Sequence, residues 1–413
     1  MTKQLIVIAP SCITFAEILL PASKSISNRL LIIHEMCDRG FEIEQLSEAE
    51  DTRILKSLLD HPADVEDCGA GGTTFRFLLA LRALQGREVM LTGSPRLLER
   101  PVQELVIALK ELGADISYVG KEGFPPLKIR KGNMSGGRIE IRADVSSQFI
   151  SALLLIAPAF QSGLELALSG KVVSAPYISM TIELMNYFGV KVQQEANILK
   201  VDHGRYVPVS FQVAPDWSAA AFFYVIAALN PDVAITLKGL GHDVLQGDRK
   251  LATLMLDWGV KTTREGNDIV IVGSGVPAGD VKYNFSETPD LAQAFAVMAA
   301  VSNRHLHLKG LSTLIGKETN RLAAMQTELK KVGCLVEITD DSMEVIQGLT
   351  KELLPGIVFD TYADHRMVMA LSLISLTGFP VMIDSPDHVS KSFPNYFDQL
   401  KRLGFIINTS PAQ

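Results

Sequence analysis

The sequence predicts an α/β protein made of six similar units in two halves of three. Two observations carry that prediction. First, a helical pattern that ends at a glycine and runs straight into a short β-branched or apolar segment is met five times, at Gly113, Gly189, Gly259, Gly333 and Gly404. These glycines stand 76, 70, 74 and 71 positions apart, too far for a solenoid repeat of roughly 20–50 residues. The spacing suits a unit of two helices and several strands, of which 413 residues hold six. Helix–glycine–strand is also a common phrase of α/β chains, but chance recurrence would not hold the interval so nearly constant. Second, a hydrophobic fraction of 47% and a charged fraction of 21% belong to a folded chain of two or three domains, neither disordered nor fibrous.

In order along the chain, the N-terminal 24 residues lack the basic and apolar regions of a signal peptide, which predicts a cytoplasmic protein. Leu20 to Arg29, LPASKSISNR, opens the first strong helix. Asp67 to Arg76, DCGAGGTTFR, is a glycine-rich turn that opens the next. In ERPVQELVIALKELG, the apolar Val102, Leu105, Val106, Leu109 and Leu112 keep helical spacing up to Gly113, where glycine permits the left-handed conformation that ends a helix. Ser146-Ser147-Gln148 precedes an apolar helix expected over Phe149 to Phe160. Residues 202–215 read as strand, and Asp216 or Ser218 as the N-cap of a long apolar helix. A crossing near residue 215 divides the chain into near-equal halves. Lys317-Glu318-Thr319-Asn320-Arg321 is expected to begin a helix, with Lys317 and Arg321 on one face at i and i+4. Tyr362 to Met367 and Ser390 to Pro394 are polar knots ahead of apolar helices.

The net charge of −7 and the scattered basic residues exclude a general nucleic-acid or membrane-surface binder. No run reaches 18 apolar residues, so no membrane span is expected. Four scattered cysteines without a CxxC pair exclude a disulfide scaffold and a zinc ribbon. The eight histidines form no metal-ligand pattern, and no metal or cofactor is expected. Against this acidic background, Lys24, Arg29, Arg76, Arg100, Lys317, Arg321, Arg366 and Lys391 all stand at helix starts or adjoining loops. Unsatisfied N–H groups and cationic side chains together suit small, multiply anionic ligands. Each motif taken singly also reads as a helix cap, a plain turn or a salt-bridged surface.

Together, LPASKSISNR, GGTTFR, GSPRLLERP, SSQF, SAPYI, ETPD, KETNR, YADHRM and KSFPNYF resemble, in the same order, phrases of the 5-enolpyruvylshikimate-3-phosphate (EPSP) synthase family, and they span residues 20 to 397. The resemblance implies two similar domains, each of three βαβαββ units around inward-facing helices, an inside-out α/β barrel with the active site in the interdomain cleft. It assigns residues 1–19 with 216–413 to one domain and 20–215 to the other. It implies transfer of the enolpyruvyl group of phosphoenolpyruvate to the 5-hydroxyl of shikimate 3-phosphate, by a monomer that needs no cofactor and meets neither nucleic acid nor membrane.

By the same resemblance, Lys24, Ser25, Arg29, Ser146, Ser147, Gln148, Ser174, Tyr177, Asp290 and Lys317 would bind shikimate 3-phosphate. Lys24, Gly72, Arg100, Gln148, Arg321, Arg366 and Lys391 would bind phosphoenolpyruvate. Asp290 would take the hydroxyl proton, Glu318 would supply the proton to C3, and Lys24 and His365 would complete the catalytic set. The chain departs from the usual pattern at Ala70, Thr313, Ile315 and Asn320, which bears on affinity more than on identity. The sister family acting on UDP-N-acetylglucosamine usually carries a reactive cysteine in the loop matched here by Thr92–Arg100, which has none. A non-catalytic anion binder of the same fold is the other alternative.

Overall fold

In the computed structural model, which describes residues 4–350 and 356–410, the chain divides into two compact units. One is Met1–Pro21 with Ala214–Gln413, the other Ala22–Val213. Among the described residues there are five four-stranded sheets, none joined to another into a barrel, and one two-stranded sheet.

The five share one plan. In each, an outer strand pairs in parallel with a second, which pairs antiparallel with a third, which pairs antiparallel with a fourth. The same holds for the sheet of residues 137–201. It holds also for the last, where the N-terminal strand Gln4–Ile8 lies between Val381–Asp384 and Ile406–Ser410. All five glycines of the repeat follow the second helix of a unit and have φ between 71° and 102°, so they end that helix and aim the chain back along the sheet. The unit without such a glycine is also the reduced one: its sheet is the short parallel pair Ile43–Glu44 and Phe211–Gln212. Residues 202–215, expected as strand, contribute only that last pair of residues, because the stretch holds Pro208 and Pro215, which cannot donate to a ladder.

Strands alternate buried and half-exposed residues, as in Leu164–Ser169, so each sheet keeps one wet face. Three helices of the unit Met1–Pro21 with Ala214–Gln413 have none. Trp217–Leu229 buries 12 of its 13 residues, and its sequence is apolar on every side. A helix apolar all round has to be enclosed. Ala292–Ser302 and His365–Ser372 are enclosed in the same way. In that core Tyr396 packs edge to face with Phe222, Phe223 and Phe393, and Phe223 lies tilted against Phe393. Burying each such side chain stabilises the fold by about 1.5–3 kcal/mol. Charged residues collect at the starts of these helices, most of them buried as well.

Candidate active site

In the unit Met1–Pro21 with Ala214–Gln413, the starts of several helices are tied together by one guanidinium. Arg321, 2% exposed, opens the helix Arg321–Lys330. Its Nε donates to Asp364 at 2.7 Å, Nη1 to Asp290 at 2.8 Å and Nη2 to Glu318 at 3.0 Å. Arg366 Nη2 meets the other oxygen of Asp290 at 3.2 Å, Lys391 Nζ the other oxygen of Glu318 at 3.1 Å, and Lys317 stands 3.9 Å from Asp290. Four cations thus surround three carboxylates. Burial alone would raise the pKa of Asp290, but Arg366, Lys317 and Arg321 outweigh it and hold the carboxyl well below its ordinary range. Burial would lower the pKa of Arg321, and Asp364, Glu318 and Asp290 overcome that to raise it. Asp364 also caps its own helix, accepting from the N–H of Arg366 at 2.8 Å, and lies 3.8 Å from His365 Nδ1.

Lys317, Glu318 and Thr319 form a bend ahead of the helix rather than its first turn. The helix begins at Arg321, and Asn320 caps it by accepting from Ala323 N at 3.2 Å. The i, i+4 argument for Lys317 and Arg321 therefore does not apply; Asp290 brings them together instead. Asn320, a departure from the family pattern, keeps the capping role its type predicts. Asp216 caps the apolar helix at Ala219 N, while Ser218 instead donates to the buried Asp248. Burial pushes the Asp248 carboxyl up to about 7, with the charge of Asp290 adding and the Ser218 bond opposing.

In the unit Ala22–Val213 a second group forms at the starts of the helices Lys24–Met36, Gly72–Gln85, Ser147–Ile156 and Ala175–Tyr187. Lys24 pairs with Asp51 at 2.9 Å. Arg29, also 2% exposed, donates to Thr181 Oγ1 at 2.7 Å, Ser25 O at 2.7 Å, Tyr177 O at 3.0 Å and Ser151 Oγ at 3.2 Å. Its fork thus joins three helices, and burial lowers its pKa to about 10 against a smaller opposing effect of Tyr177. Ser146 caps its helix at Gln148 N, and Arg76 donates to Gln148 while lying 5.0 Å from the Phe149 ring. Ser174 takes a left-handed conformation, with φ 53°, to start the Ala175 helix.

Gly72 lies directly against Arg100. A Cβ added there would come 2.5–2.8 Å from the three terminal guanidinium atoms. The glycine lets a buried arginine cross the start of a helix. The loop Thr92–Arg100 is anchored to the glycine-rich turn by Ser94 N to Gly69 O and Cys68 N to Thr92 O.

The structure thus gathers Asp290, Lys317, Glu318, Arg321, His365, Arg366 and Lys391 in one unit, and Lys24, Ser25, Arg29, Gly72, Arg100, Ser146, Ser147, Gln148, Ser174 and Tyr177 in the other. Sequence reasoning missed the partners Asp51, Thr181, Asp248 and, as the anchor of Arg321, Asp364. Asp51 sits in an ordinary amphipathic helix and carries no local signal. Asp364 did carry one, an aspartate two residues before a helical arginine. Among the described residues no group of three or more His, Cys, Asp or Glu is placed to hold a metal ion, and no helix is long and apolar enough to cross a membrane.

Two α/β units with charged helix starts define a class, and solved structures match it over the whole chain. EPSP synthase from Acinetobacter baumannii superposes with a TM-score of 0.78 at 22% identity, covering 99% of this chain and 100% of that one. The enolpyruvyl transferase NikO from Streptomyces tendae gives 0.75 at 12% identity, with both chains fully covered. The fold is that of the enolpyruvyl transferases. The family model for EPSP synthase (3-phosphoshikimate 1-carboxyvinyltransferase) matches residues 55–400. A 3-phosphoshikimate 1-carboxyvinyltransferase of Bacteroides fragilis is 42% identical over 401 residues, 97% of each chain. One from Actinobacillus pleuropneumoniae is 35% identical over 430 residues, 96% of this chain and 98% of the other. The chain belongs to the EPSP synthase family, and so to the transferases of aromatic amino-acid biosynthesis.

Proposed function

We propose that this chain transfers the enolpyruvyl group of phosphoenolpyruvate to the 5-hydroxyl of shikimate 3-phosphate and releases phosphate, acting as a cytoplasmic monomer. The observation that carries this reading is the single guanidinium of Arg321, which holds Asp290 and Glu318 together among Lys317, Arg366 and Lys391. The reaction needs one group to take a proton from the hydroxyl and one to give a proton to C3, beside cations that accept a carboxylate and a phosphate.

Asp290 accepts the hydroxyl proton as the oxygen attacks C2, and Glu318 delivers a proton to C3. The tetrahedral adduct then loses phosphate from C2 and a proton from C3, which restores the double bond. With its pKa held so low, Asp290 is a weak base in the unliganded protein. Anionic substrates that draw on Arg366, Lys317 and Arg321 weaken that hold and raise its basicity at the moment it is needed. Arg321, Arg366 and Lys391 take the phosphoenolpyruvate anion, and Lys317 lies between it and the acceptor. His365 supports Asp364.

In the unit Ala22–Val213, Lys24, Ser25, Ser146, Ser147, Gln148, Ser174 and Tyr177 hold shikimate 3-phosphate. Gly72 and Arg100 receive the phosphate of phosphoenolpyruvate. Arg29 joins the shikimate 3-phosphate set: its bonds go to four neutral protein oxygens, which leaves its charge to the carboxylate of shikimate 3-phosphate and sets the positions of Ser25 and Tyr177. A phosphate-release assay tests the reading. Release from phosphoenolpyruvate with shikimate 3-phosphate is expected, with none for UDP-N-acetylglucosamine or for no acceptor. Release with the nucleotide sugar alone would overturn it, and so would no release at all.

A further inference from the structure

The position of Asp364 depends on backbone that is costly to hold. Tyr362 and Ala363, the two residues before it, both have positive φ, 52° and 54°. Two consecutive left-handed non-glycine residues persist only where surrounding contacts over-determine them. One such contact is plain. Glu328, fully buried, accepts from Tyr362 Oη at 2.7 Å, from the N–H of Asp360 at 3.0 Å and from Lys331 Nζ at 2.6 Å. The far side of the segment is held by Thr361, whose Oγ1 donates to Asp384 O at 3.0 Å and whose carbonyl accepts from Asp364 N at 2.8 Å.

Glu328 and Arg321 lie on the same helix, about two turns apart. That helix therefore grips the bent segment twice. Glu328 takes Tyr362, and Arg321 takes Asp364 two residues later. A carboxylate makes a shorter, stronger bond than a neutral acceptor, which suits a contact that has to hold a strained turn.

We propose that Glu328 and Tyr362 form a positioning latch. Neither touches the reacting atoms; together they keep the left-handed turn at Tyr362–Ala363 and so place Asp364, which aims Arg321 at Asp290 and Glu318. The effect on turnover rests on the reading of activity given above.

The test uses Tyr362→Phe, which removes one oxygen, and the same change combined with Ala363→Gly, which lets the turn form without the latch. Tyr362→Phe should lower turnover roughly 10- to 100-fold, since a displacement of about 1 Å can cost that much. It should do so well below its melting temperature, and Ala363→Gly should recover most of the loss. Ala363→Val keeps the latch but penalises the left-handed backbone, so it should fall in the same direction, and it carries the test if Tyr362→Phe does not fold.

Turnover within twofold of wild type in both Tyr362→Phe and Ala363→Val would overturn the latch, whatever happens to the melting temperature. So would a loss that glycine does not repair. If the unaltered chain releases no phosphate, the functional reading fails. The latch is then judged on the Arg321 Nε–H resonance in a ¹⁵N-arginine spectrum. That signal should move in Tyr362→Phe and return in the double variant, and a signal that stays put refutes it.

Discussion

Arg29, in the second turn of its helix, and Arg321, at the first residue of its own, are buried to the same degree, yet they are held in opposite ways. Arg29 gives its fork to hydroxyl and carbonyl oxygens, and burial wins: its pKa falls to about 10. Arg321 gives its fork to three carboxylates, and charge wins over burial. The difference separates two kinds of cationic site. A guanidinium among neutral acceptors keeps its full charge to offer an anion. One that is locked among carboxylates divides its charge between them, which keeps acids and bases aligned beside the anion it takes. The first kind serves binding alone, the second binding and proton transfer together.

The largest effect should come from cutting the two hubs in parallel. Arg321→Gln leaves Asp290, Glu318 and Asp364 short of a cation in a buried setting, a loss of about 3–5 kcal/mol. Arg29→Gln leaves only neutral acceptors unsatisfied, at about 1–3 kcal/mol. Urea unfolding of both variants decides it. Equal losses would break the comparison.

The next concerns what the carboxylate-rich hub aligns. Glu318→Gln keeps the shape and a hydrogen bond to Arg321 but cannot transfer a proton. Turnover should drop about 10²–10⁴-fold while shikimate 3-phosphate binding, followed by calorimetry, survives. Turnover within about threefold of wild type would remove Glu318 from the acid–base set.

Asp248 sharpens the contrast from the side of pH. Its folded pKa of about 7 lies above its ordinary 3.8, so between those values the folded state binds the extra proton and loses stability as pH rises. The slope is on the order of 1 kcal/mol per pH unit, flattening above about pH 7. Asn at this position keeps an oxygen to accept from Ser218 but cannot titrate, so Asp248→Asn should abolish that slope in melts run from pH 4.5 to 8. Asp290 works in the other direction. Its depressed pKa contributes stability above its unfolded value, and this is lost only as pH falls well below 4.

The smallest effect is steric. Gly72→Ala sets a methyl group against the Arg100 guanidinium, displacing a cation rather than removing it. The KM for phosphoenolpyruvate should rise about tenfold, an energy near 1.4 kcal/mol, with shikimate 3-phosphate binding nearly unchanged. Equal losses for both substrates would show that the turn serves only the fold.

The repeating plan of the fold was legible in sequence, because it is written in local chemistry. A glycine with positive φ ends the second helix in five of the units, so those five stops left an evenly spaced record. Apolar helices announced their own enclosure, and the charged residues at their starts had nowhere else to go. The cap at Asp216 was equally readable, since a cap depends on neighbours only three residues away, whereas Asn320, inside a helix whose expected start is Lys317, proves to cap it.

What the tertiary structure alone decided is pairing. Lys317 and Arg321 looked like a helical i, i+4 pair and proved to be joined through Asp290, 27 and 31 positions away in the chain. Thr181 beneath Arg29, 152 positions away, and Asp51 beneath Lys24 have no sequence signal at all. The left-handed turn before Asp364, occupied by tyrosine and alanine rather than glycine, could not be read from residue type, because its stability comes from a glutamate on another helix. Local propensity follows from a residue and its neighbours. The partner of a buried charge follows from where distant segments meet, and that is settled only when the chain has packed.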